Sequence, residues 1–390
     1  MISTKKRIAF FTHYTELYGA NKSLINLAEG LLKAQLAEVM LVTPAEGKIT
    51  GFAKKNSIPY LILPFYNEIQ YNPRKGITGT LKNIFKLLYN WMLVLRHSRK
   101  LDRFDIIHSN SSATLIGAYF ARWKQKPHIW HIREYGWEDY KFTYNFGYSY
   151  FQRWLNRSSA IIGISEAIYQ QRIASSLVKT KVVIYNGVIF ADDIPPPSID
   201  PETQRISDKV IFAIIGLIRE EKNQMEALQA FQQINEMHNK AELWIIGDGD
   251  PEYIHVLKTF VSRNGLSNCV KFTGFLDDIT PVYKSLYCLL MCSTNEAMGR
   301  VTIEAMVNDV PVIGYNNAGT AEIIRDNYNG LLYSDGPAEL SQKMKLLLNN
   351  SGLVKKIKHN ARLEILEKFT IEKYSESVYN IYKNVLFSTH

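Results

Sequence analysis

The sequence predicts an α/β protein made of two doubly wound domains that face each other across a cleft. The chain has 390 residues, more than one hydrophobic core usually supports. Short apolar runs alternate with amphipathic helical patterns along its whole length. A segment rich in Pro, Asp and Ser at 191–208 suits neither a helix nor a central strand, and it divides the alternation into two series.

The first series fills residues 1–190. It starts with RIAFFTHY at 7–14, and the helical pattern of 21–34 follows, with Leu24, Leu27, Ala28, Leu31 and Leu32 on one face. The later apolar runs are EVMLVTP, YLILPF, FDIIHSNS, PHIWHIRE, SAIIGISE and KVVIYNGV. Because these runs are continuously apolar, they indicate strands of a parallel sheet covered by helices on both faces.

The second series fills residues 209–370. Its apolar runs are VIFAIIGLI, AELWIIGDG, CVKFTGF, YCLLMCST, VPVIGYN and GLLY. A last helix is predicted within 371–390, with an apolar stripe formed by Tyr374, Val378, Ile381, Tyr382 and Val385. Two alternatives stay open for this helix: it packs on the second domain, or it crosses back to the first.

The bulk properties indicate a globular protein with an anionic partner. Hydrophobic residues make up 46% of the chain and charged residues 21%, and the net charge is +9. This charge suits nucleic acid, a phosphorylated ligand or an anionic membrane surface; no nucleic-acid module is recognised, so no nucleic-acid partner is predicted. The basic start, with its short apolar run, indicates a first strand rather than a signal peptide or a membrane span.

The three cysteines are too few for a disulfide framework. Cys288 and Cys292 lie in a strand-like apolar run, and no histidine has metal-ligand spacing nearby. They are interpreted as reduced core thiols of a cytoplasmic protein.

The segment NEAMGRVTIEAM at 295–306 carries two glutamates separated by a turn with a glycine. A helix is predicted to begin after Gly299, and its first amides form an anion site. Glu304 lies about one turn into that helix among apolar residues, where an unpaired carboxylate is costly to bury. A vicinal diol such as a ribose would supply the missing hydrogen bonds. The alternative is a carboxylate satisfied by a neighbouring arginine or by backbone amides.

Other candidate groups follow the ends of predicted strands, where ligands bind in open α/β sheets. Arg219 and Lys222 could reach a diphosphate, or they could form a solvated charge cluster with Glu220 and Glu221. Gly19 lies in a loop that backbone-binding ligands can approach. His131 ends a strand, where a packed histidine is the common alternative to a functional one.

The segment Asp248-Gly249-Asp250 has the spacing of a carboxylate metal site, but Pro251 favours a turn followed by a helix cap. No metal is therefore assigned.

The segment 74–104 combines basic and aromatic residues. Its basic residues, set against the single acid Asp102, are Arg74, Lys75, Lys82, Lys86, Arg96, Arg99, Lys100 and Arg103. The apolar part is too short to span a bilayer, but such a helix could lie on an anionic leaflet. The alternative is a helix that faces the core and has solvated ends. Peripheral attachment to the inner face of the plasma membrane is therefore one possible location.

These segments together resemble the family 4 glycosyltransferases, retaining enzymes of the GT-B fold with two Rossmann-like domains. The E-x7-E motif from Glu296 to Glu304 carries the resemblance. GLIREEKNQ, WIIGDGDPEY, VPVIGYNNAGTAEIIRDNYNGLLY, SSAIIGISEAI and KVVIYNGV support it. It is strong over 210–335 and looser before residue 150.

The resemblance implies roles for ten residues. Glu304 would bind the donor ribose, and Glu296 would lie against the transferred sugar. Lys222, with Arg219, would contact the diphosphate, and His131 would face the sugar. The turn residues Met298, Gly299, Arg300 and Val301 would contact sugar and phosphate, and Gly19 would approach the phosphates. Leu217 stands where the family has an arginine, for which Arg219 is a candidate substitute. Ile132 stands where an acid often follows the histidine, so Arg133 or Glu134 could take that role.

The implied activity is transfer of a sugar from a nucleotide-sugar donor to a glycan acceptor, with retention and without a metal or other cofactor. A lipid-linked acceptor in surface polysaccharide synthesis is the expected partner. Two alternatives stay open: a nucleotide-sugar 2-epimerase of the same fold, and a noncatalytic subunit that binds glycan or nucleotide.

Overall fold

A computed structural model describes residues 5–71, 76–196, 209–236, 238 and 240–387. The chain divides into two compact units. Unit 1 holds the described residues up to Val188 and those from Thr370 onward, and unit 2 holds the described residues of Ile189–Phe369. Of the predicted linker 191–208, residues 197–208 lie outside the described part, and Ala191–Asp193 forms a 3-10 turn.

Unit 1 is a doubly wound α/β domain. Its strands are β1 Lys6–Phe11, β2 Ala37–Thr43, β3 Tyr60–Ile62, β4 Ile69–Gln70, β5 Ile106–Ser109, β6 His128–Ile132, β7 Thr143–Tyr144, β8 Ala160–Gly163 and β9 Thr180–Val183. Its helices are α1 Gly19–Lys33, α2 Lys48–Lys55, α3 Ile77–His97, α4 Ile116–Lys124, α5 Trp137–Tyr140, α6 Tyr148–Leu155 and α7 Glu166–Ile168. Seven strands form one parallel sheet in the order β3-β2-β1-β5-β6-β8-β9, and β4 pairs with β7 in a small antiparallel ribbon.

Unit 2 has a six-stranded parallel sheet in the order β12-β11-β10-β13-β14-β15. Its strands are β10 Val210–Ile215, β11 Ala241–Ile246, β12 Val270–Gly274, β13 Cys288–Met291, β14 Val312–Tyr315 and β15 Leu331–Tyr333. Its helices are α8 Gln224–Asn235, α9 Pro251–Arg263, α10 Thr280–Tyr283, α11 Arg300–Val307, α12 Ala318–Ile323, α13 Gly336–Asn349 and α14 Ser351–Lys368. The predicted fold class of two doubly wound parallel sheets is confirmed, and the apolar runs are the strands.

The last helix, α15 (Ile371–Phe387), completes the core of unit 1. All five residues of its predicted stripe are buried, and they pack in one cluster with the buried face of α1. The helix therefore crosses back to the first unit, which decides between the two alternatives. On α1, the prediction is wrong for Leu32, which is 37% exposed and does not belong to the buried face.

Two local predictions in unit 2 are confirmed by hydrogen bonds and burial. Asp248 accepts a hydrogen bond from Gly249 N at 2.8 Å, and Asp250 caps α9 by accepting one from Glu252 N at 2.9 Å. The three cysteines are free, and burial raises the pKa of Cys292 to about 12. Cys292 is accordingly a protonated core thiol at neutral pH.

Helix α3 does not face the core with its apolar stripe, so that alternative is wrong. The exposed fractions of these side chains are Ile77 79%, Leu81 59%, Ile84 40%, Phe85 58%, Leu88 63%, Met92 49% and Leu95 53%. The spacing of three, four, seven and eight residues places them on one face of the helix. The predicted basic residues Arg74 and Lys75 lie outside the described residues.

The side of α3 that faces unit 1 carries two buried asparagines. Asn83 Nδ2 donates to Asn145 O at 3.0 Å, and Asn90 Nδ2 donates to Glu68 Oε1 at 2.6 Å. Glu68 is itself fully buried, and burial raises the pKa of its carboxyl to about 7. Helix α3 is thus anchored in part by polar contacts while much of its apolar surface meets solvent. In the described part of the chain, no helix combines the length and apolar character needed to cross a membrane.

The close approach of α1 and α15 generates a prediction about two glycines. A Cβ at Gly30 would lie 2.7 Å from Ser375 Cβ, whereas a Cβ at Gly51 in α2 would meet nothing within 4 Å. We expect Gly30→Ala to destabilise unit 1 by about 1–3 kcal/mol because the helices must move apart. Gly51→Ala is the matched control and should stabilise by about 0.5–1 kcal/mol through lower backbone entropy. Thermal unfolding of the two variants measures both, and equal shifts would contradict the tight helix contact.

Candidate active site

The candidate site of unit 2 is built from loops at the carboxyl ends of neighbouring strands β10 and β13. After β10 the chain runs through Gly216 to a 3-10 turn at Glu220–Lys222, and after β13 it runs through 292–299 into α11. Because β10 and β13 are adjacent and parallel, both loops emerge at the same edge of the sheet.

The turn between the two glutamates depends on two glycines. Gly299 has φ +79°, a left-handed conformation that favours glycine, and it immediately precedes α11. Gly319 of α12 packs against the turn so closely that a Cβ there would lie 2.6 Å from Ala297 O. Gly319 N also donates a hydrogen bond to Glu296 O at 2.9 Å. The turn is therefore held from both sides, and its backbone position is fixed.

Lys222 and Glu296 are brought together by this arrangement. Lys222 Nζ lies 2.5 Å from Glu296 Oε2, although the two residues are 74 positions apart in the chain. Their side chains are 31% and 15% exposed, so both remain open to a ligand. Lys222 therefore does not form the alternative, a solvated charge cluster with Glu220 and Glu221. Arg219 lies beside Glu221 at 3.9 Å, a longer and weaker ion pair.

Glu304 has protein partners for both carboxylate oxygens. Arg300 Nε donates to Oε1 at 2.7 Å, and Tyr283 OH donates to Oε2 at 3.2 Å. Burial and the Glu304 carboxylate raise the pKa of Tyr283 well above its usual value, so the phenol keeps its proton. The expectation that only a ligand offsets the cost of burying the Glu304 carboxylate is therefore wrong. The structure shows the alternative, a carboxylate that pairs with a neighbouring arginine.

The geometry of Glu304 still leaves capacity for a ligand. Its side chain is 15% exposed rather than sealed in the core. Two carboxylate oxygens offer about four acceptor positions, of which these bonds use two. The remaining positions are enough for a vicinal diol.

The other predicted donor residues form the start of α11. Arg300 and Val301 are its first two residues, and Met298 just before the turn is 3% exposed. A buried Met298 anchors the turn, and the amino end of α11 carries the positive end of the helix dipole. The predicted helix start after Gly299 is confirmed.

In unit 1, Gly19 is the first residue of α1 at the carboxyl edge of the sheet. A Cβ built on it would meet nothing within 4 Å. The fold itself therefore does not require glycine at this position, and close approach by a ligand stays a prediction.

His131 lies at the end of β6, as predicted, one residue before the strand ends at Ile132. It is fully buried, with Nδ1 3.3 Å from Arg133 Nη2. Burial and the nearby Arg133 hold the pKa of His131 well below its usual value. Since arginine only donates, the ring proton is on Nε2, which is buried and has no hydrogen-bond partner among the described residues. The role of His131 toward the sugar stays a prediction.

Arg133 has a structural role that sequence reasoning did not predict. Its guanidinium donates to Asn110 Oδ1 at 2.6 Å, to Asn186 Oδ1 at 2.6 Å and to Tyr374 OH at 2.8 Å. It thus ties the ends of two segments of unit 1 to α15. Its position directly after β6 was the available signal, but only the fold brings these partners together.

Two family models match the chain and together cover most of it. The model described as "Glycosyltransferase Family 4" matches residues 18–191, and the model described as "Glycosyl transferases group 1" matches residues 197–364. The chain belongs to the family 4 glycosyltransferases. This confirms the resemblance carried by the E-x7-E motif, and the chain is a glycosyltransferase.

Two relatives of this glycosyltransferase are themselves named as sugar transferases, one of them in capsular polysaccharide biosynthesis. The capsular polysaccharide biosynthesis glycosyltransferase CapM of Staphylococcus aureus is 25% identical over 363 residues, covering 86% of this chain and 93% of CapM. The GalNAc-alpha-(1->4)-GalNAc-alpha-(1->3)-diNAcBac-PP-undecaprenol alpha-1,4-N-acetyl-D-galactosaminyltransferase of Campylobacter jejuni is 28% identical over 206 residues, covering 52% of this chain and 54% of that enzyme.

The fold of this glycosyltransferase is also that of the Anabaena protein HepE, solved in complex with UDP and glucose. The TM-score is 0.77 at 21% identity, covering 96% of this chain and 99% of HepE. The GT-B fold prediction is confirmed by this likeness. In the described residues, no group of three or more His, Cys, Asp or Glu side chains is arranged to hold a metal ion.

The exposure of the Lys222–Glu296 pair generates a prediction about stability. An ion pair that is partly exposed contributes about 0–1 kcal/mol to folding. The free energies of unfolding of Lys222→Met, Glu296→Gln and the double variant are measured by chemical denaturation. We expect the coupling energy from this double-mutant cycle to lie within that range. A coupling of several kcal/mol would identify the pair as a structural element instead of a pair available to a ligand.

Proposed function

We propose that this glycosyltransferase transfers a sugar, with retention and without a metal ion, from a nucleoside-diphosphate donor to a lipid-linked glycan acceptor in surface polysaccharide synthesis. The observation that carries the donor assignment is the fixed turn at Gly299, which joins Glu296 with its Lys222 partner to Glu304. The names of CapM and of the Campylobacter jejuni enzyme support the choice of acceptor.

The proposed donor pose assigns one part of the ligand to each group. The diphosphate lies at Lys222 and the first amides of α11, with Arg219 in reach of the same charge. The ribose diol bonds to the unused acceptor positions of Glu304, and the sugar lies against Glu296. Lys222 then divides its hydrogen bonds between Glu296 and phosphate, which an ammonium with three donors can do.

In the proposed reaction the bond between the sugar C1 and the phosphate oxygen breaks as the acceptor oxygen bonds to C1 on the same face. The acceptor proton passes to the departing phosphate oxygen. Negative charge that builds on the diphosphate is stabilised by Lys222, Arg219 and the helix amides. These fixed positive groups are what supports metal independence.

The membrane part of the proposal rests on the exposed stripe of α3. Seven large apolar side chains reach solvent on one face of a 21-residue helix. In the described residues 76–104 six lysines and arginines accompany the stripe against the single acid Asp102, which pairs with Lys124. Apolar residues inserted at the interface, with cations at the headgroups, are the chemistry of an anionic leaflet.

The donor pose predicts that Glu304 recognises the ribose diol. UDP, GDP, ADP and CMP are first ranked by the thermal shift they produce, since a ligand bound to the folded state raises apparent stability. For the nucleotide with the largest shift, we expect the wild type to bind the 2′-deoxy form about tenfold more weakly than the ribonucleotide. Glu304→Ala should bind the two forms with equal affinity. Unequal binding to the variant, or no preference in the wild type, would contradict the role of Glu304.

The reaction class is tested with the same donor, incubated with and without acceptor and with EDTA. We expect free nucleotide and glycoside product in the presence of acceptor, unchanged by EDTA, with retained anomeric configuration by NMR. A changed sugar that stays attached to nucleotide would indicate the epimerase. Tight donor binding without turnover across an acceptor panel would indicate a binding subunit.

The membrane proposal predicts that Phe85→Ser combined with Leu88→Ser abolishes sedimentation with phosphatidylglycerol-containing vesicles at low salt. Both side chains are exposed, so the fold should be retained. Leu177→Ser, at a leucine of unit 1 that is 81% exposed, is the matched control and should sediment like the wild type. Wild-type protein that stays in the supernatant, or a double variant that still sediments, would refute the membrane role of α3.

A further inference from the structure

Glu134, two residues after the end of β6, is a buried carboxylate whose hydrogen bonds all come from neutral groups to one of its two oxygens. Ser111 Oγ, Ser112 N and Ser112 Oγ all donate to its Oε1, at 2.9, 2.6 and 2.6 Å. Its Oε2 accepts no hydrogen bond from the described residues and is not among the sealed, unpartnered atoms. The residue as a whole is 5% exposed.

The charge of Glu134 is not compensated by an ion pair within 4 Å in the described part of the chain. Arg133 is its neighbour in sequence but turns to the neutral partners Asn110, Asn186 and Tyr374. Arg172 is close enough for the charge of Glu134 to help raise its pKa against the cost of burial, but its hydrogen bond goes to Tyr144 OH and not to the carboxylate. A residue needed only to tie the 111–112 loop would use one acceptor atom, which a neutral glutamine also supplies. The hydrogen bonds from Ser111 and Ser112 therefore account for Oε1 of Glu134 but give no reason for its second carboxylate oxygen, Oε2.

The hydrogen bonds to Oε1 also hold Oε2 of Glu134 in a fixed position. Tyr144 OH donates to Ser112 Oγ at 2.9 Å, and Arg172 Nη2 donates to Tyr144 OH at 2.5 Å. Immobile acceptors bind hydroxyl groups at low entropic cost, because no side chain has to be ordered on binding.

The segment that follows Glu134 is rigid as well and carries exposed aromatic rings. Asp139 accepts hydrogen bonds from Tyr135 N and Gly136 N at 2.9 and 2.7 Å, which closes the turn into α5. Trp137 and Tyr140 on α5 are 54% and 41% exposed. Aromatic surface with a few fixed polar groups is typical of sites for small organic ligands.

The free carboxylate oxygen selects among ligands. It accepts hydrogen bonds from hydroxyl groups, whereas a phosphate would meet like charge. From this geometry we propose that Glu134 Oε2 binds a hydroxyl group of the acceptor sugar, so that the edge of unit 1 at Glu134 and α5 is the acceptor-sugar site. This inference rests on the proposed glycosyl transfer and assigns the acceptor to named residues of unit 1.

Glu134→Gln isolates the free oxygen. The glutamine Oε1 can keep all three bonds from Ser111 and Ser112, and its Nε2 replaces an outward acceptor by a donor. The matched control is Glu38→Gln, an exposed carboxylate at the start of β2, outside the proposed site, whose Oε2 accepts from Arg7 Nε at 3.1 Å.

Saturation-transfer NMR with methyl glycosides of glucose, galactose, N-acetylglucosamine and N-acetylgalactosamine measures acceptor binding, with UDP and GDP as probes of the donor site. We expect at least one glycoside to bind the wild type and Glu38→Gln equally. Its affinity for Glu134→Gln should fall by about tenfold or more, equivalent to roughly 1.4 kcal/mol. Nucleotide signals should be the same in all three proteins.

Two results would overturn the assignment: undiminished glycoside binding by Glu134→Gln, or no glycoside binding by a wild type that binds nucleotide. Loss of nucleotide binding by the wild type would instead refute the proposed function. If Glu134→Gln lowers the melting temperature, Glu134→Asp is measured too. It keeps the charge but withdraws the free oxygen, and glycoside binding that survives in a folded aspartate variant would also overturn the assignment.

Discussion

The left-handed backbone at Gly299 is the constraint on which the candidate site of unit 2 depends. It lets the chain leave the turn and enter α11 at once, so that Glu296 precedes the bend and Glu304 lies on the helix beyond it. A side chain at Gly299 would be strained in this conformation and would approach Glu296 Cγ and Thr302 Oγ1 to 3.3 Å. Gly319 closes the turn from the other side. The spacing of the two glutamates is thus a property of backbone geometry as much as of carboxylate chemistry.

The sequence predicted the fold well because its strands are continuously apolar and buried on both faces, and because loops between strands carry glycine and polar residues. It also placed the loops of Lys222 and Glu296 at one sheet edge, since that follows from parallel topology. It failed where a partner is distant in the chain. The hydrogen bond from Tyr283 to Glu304 and the contact of Arg133 with Tyr374 have no periodic signal. The burial of His131 depends on the helices that cover β6.

Helix α3 shows that an amphipathic pattern alone does not determine which face of a helix packs against the core. Its apolar stripe has the periodicity of a core-facing helix, but its inner face carries Asn83 and Asn90, which bond to Asn145 O and to Glu68. The same helix also buries Leu93 and Val94. Buried amides with satisfied hydrogen bonds thus share the inward face with apolar side chains, and periodicity arguments overlook this contribution of the asparagines.

The crossing of α15 has a consequence for how the chain acquires its structure during synthesis. The stripe from Tyr374 to Val385 completes the hydrophobic core that α1 begins, yet it follows the whole of unit 2 in the chain. A ribosome must therefore translate the second sheet before the first unit can close. Unit 2 can finish folding as soon as it emerges, whereas the unit made first waits with the apolar face of α1 uncovered. That interval is where chaperone binding and aggregation compete for the nascent protein.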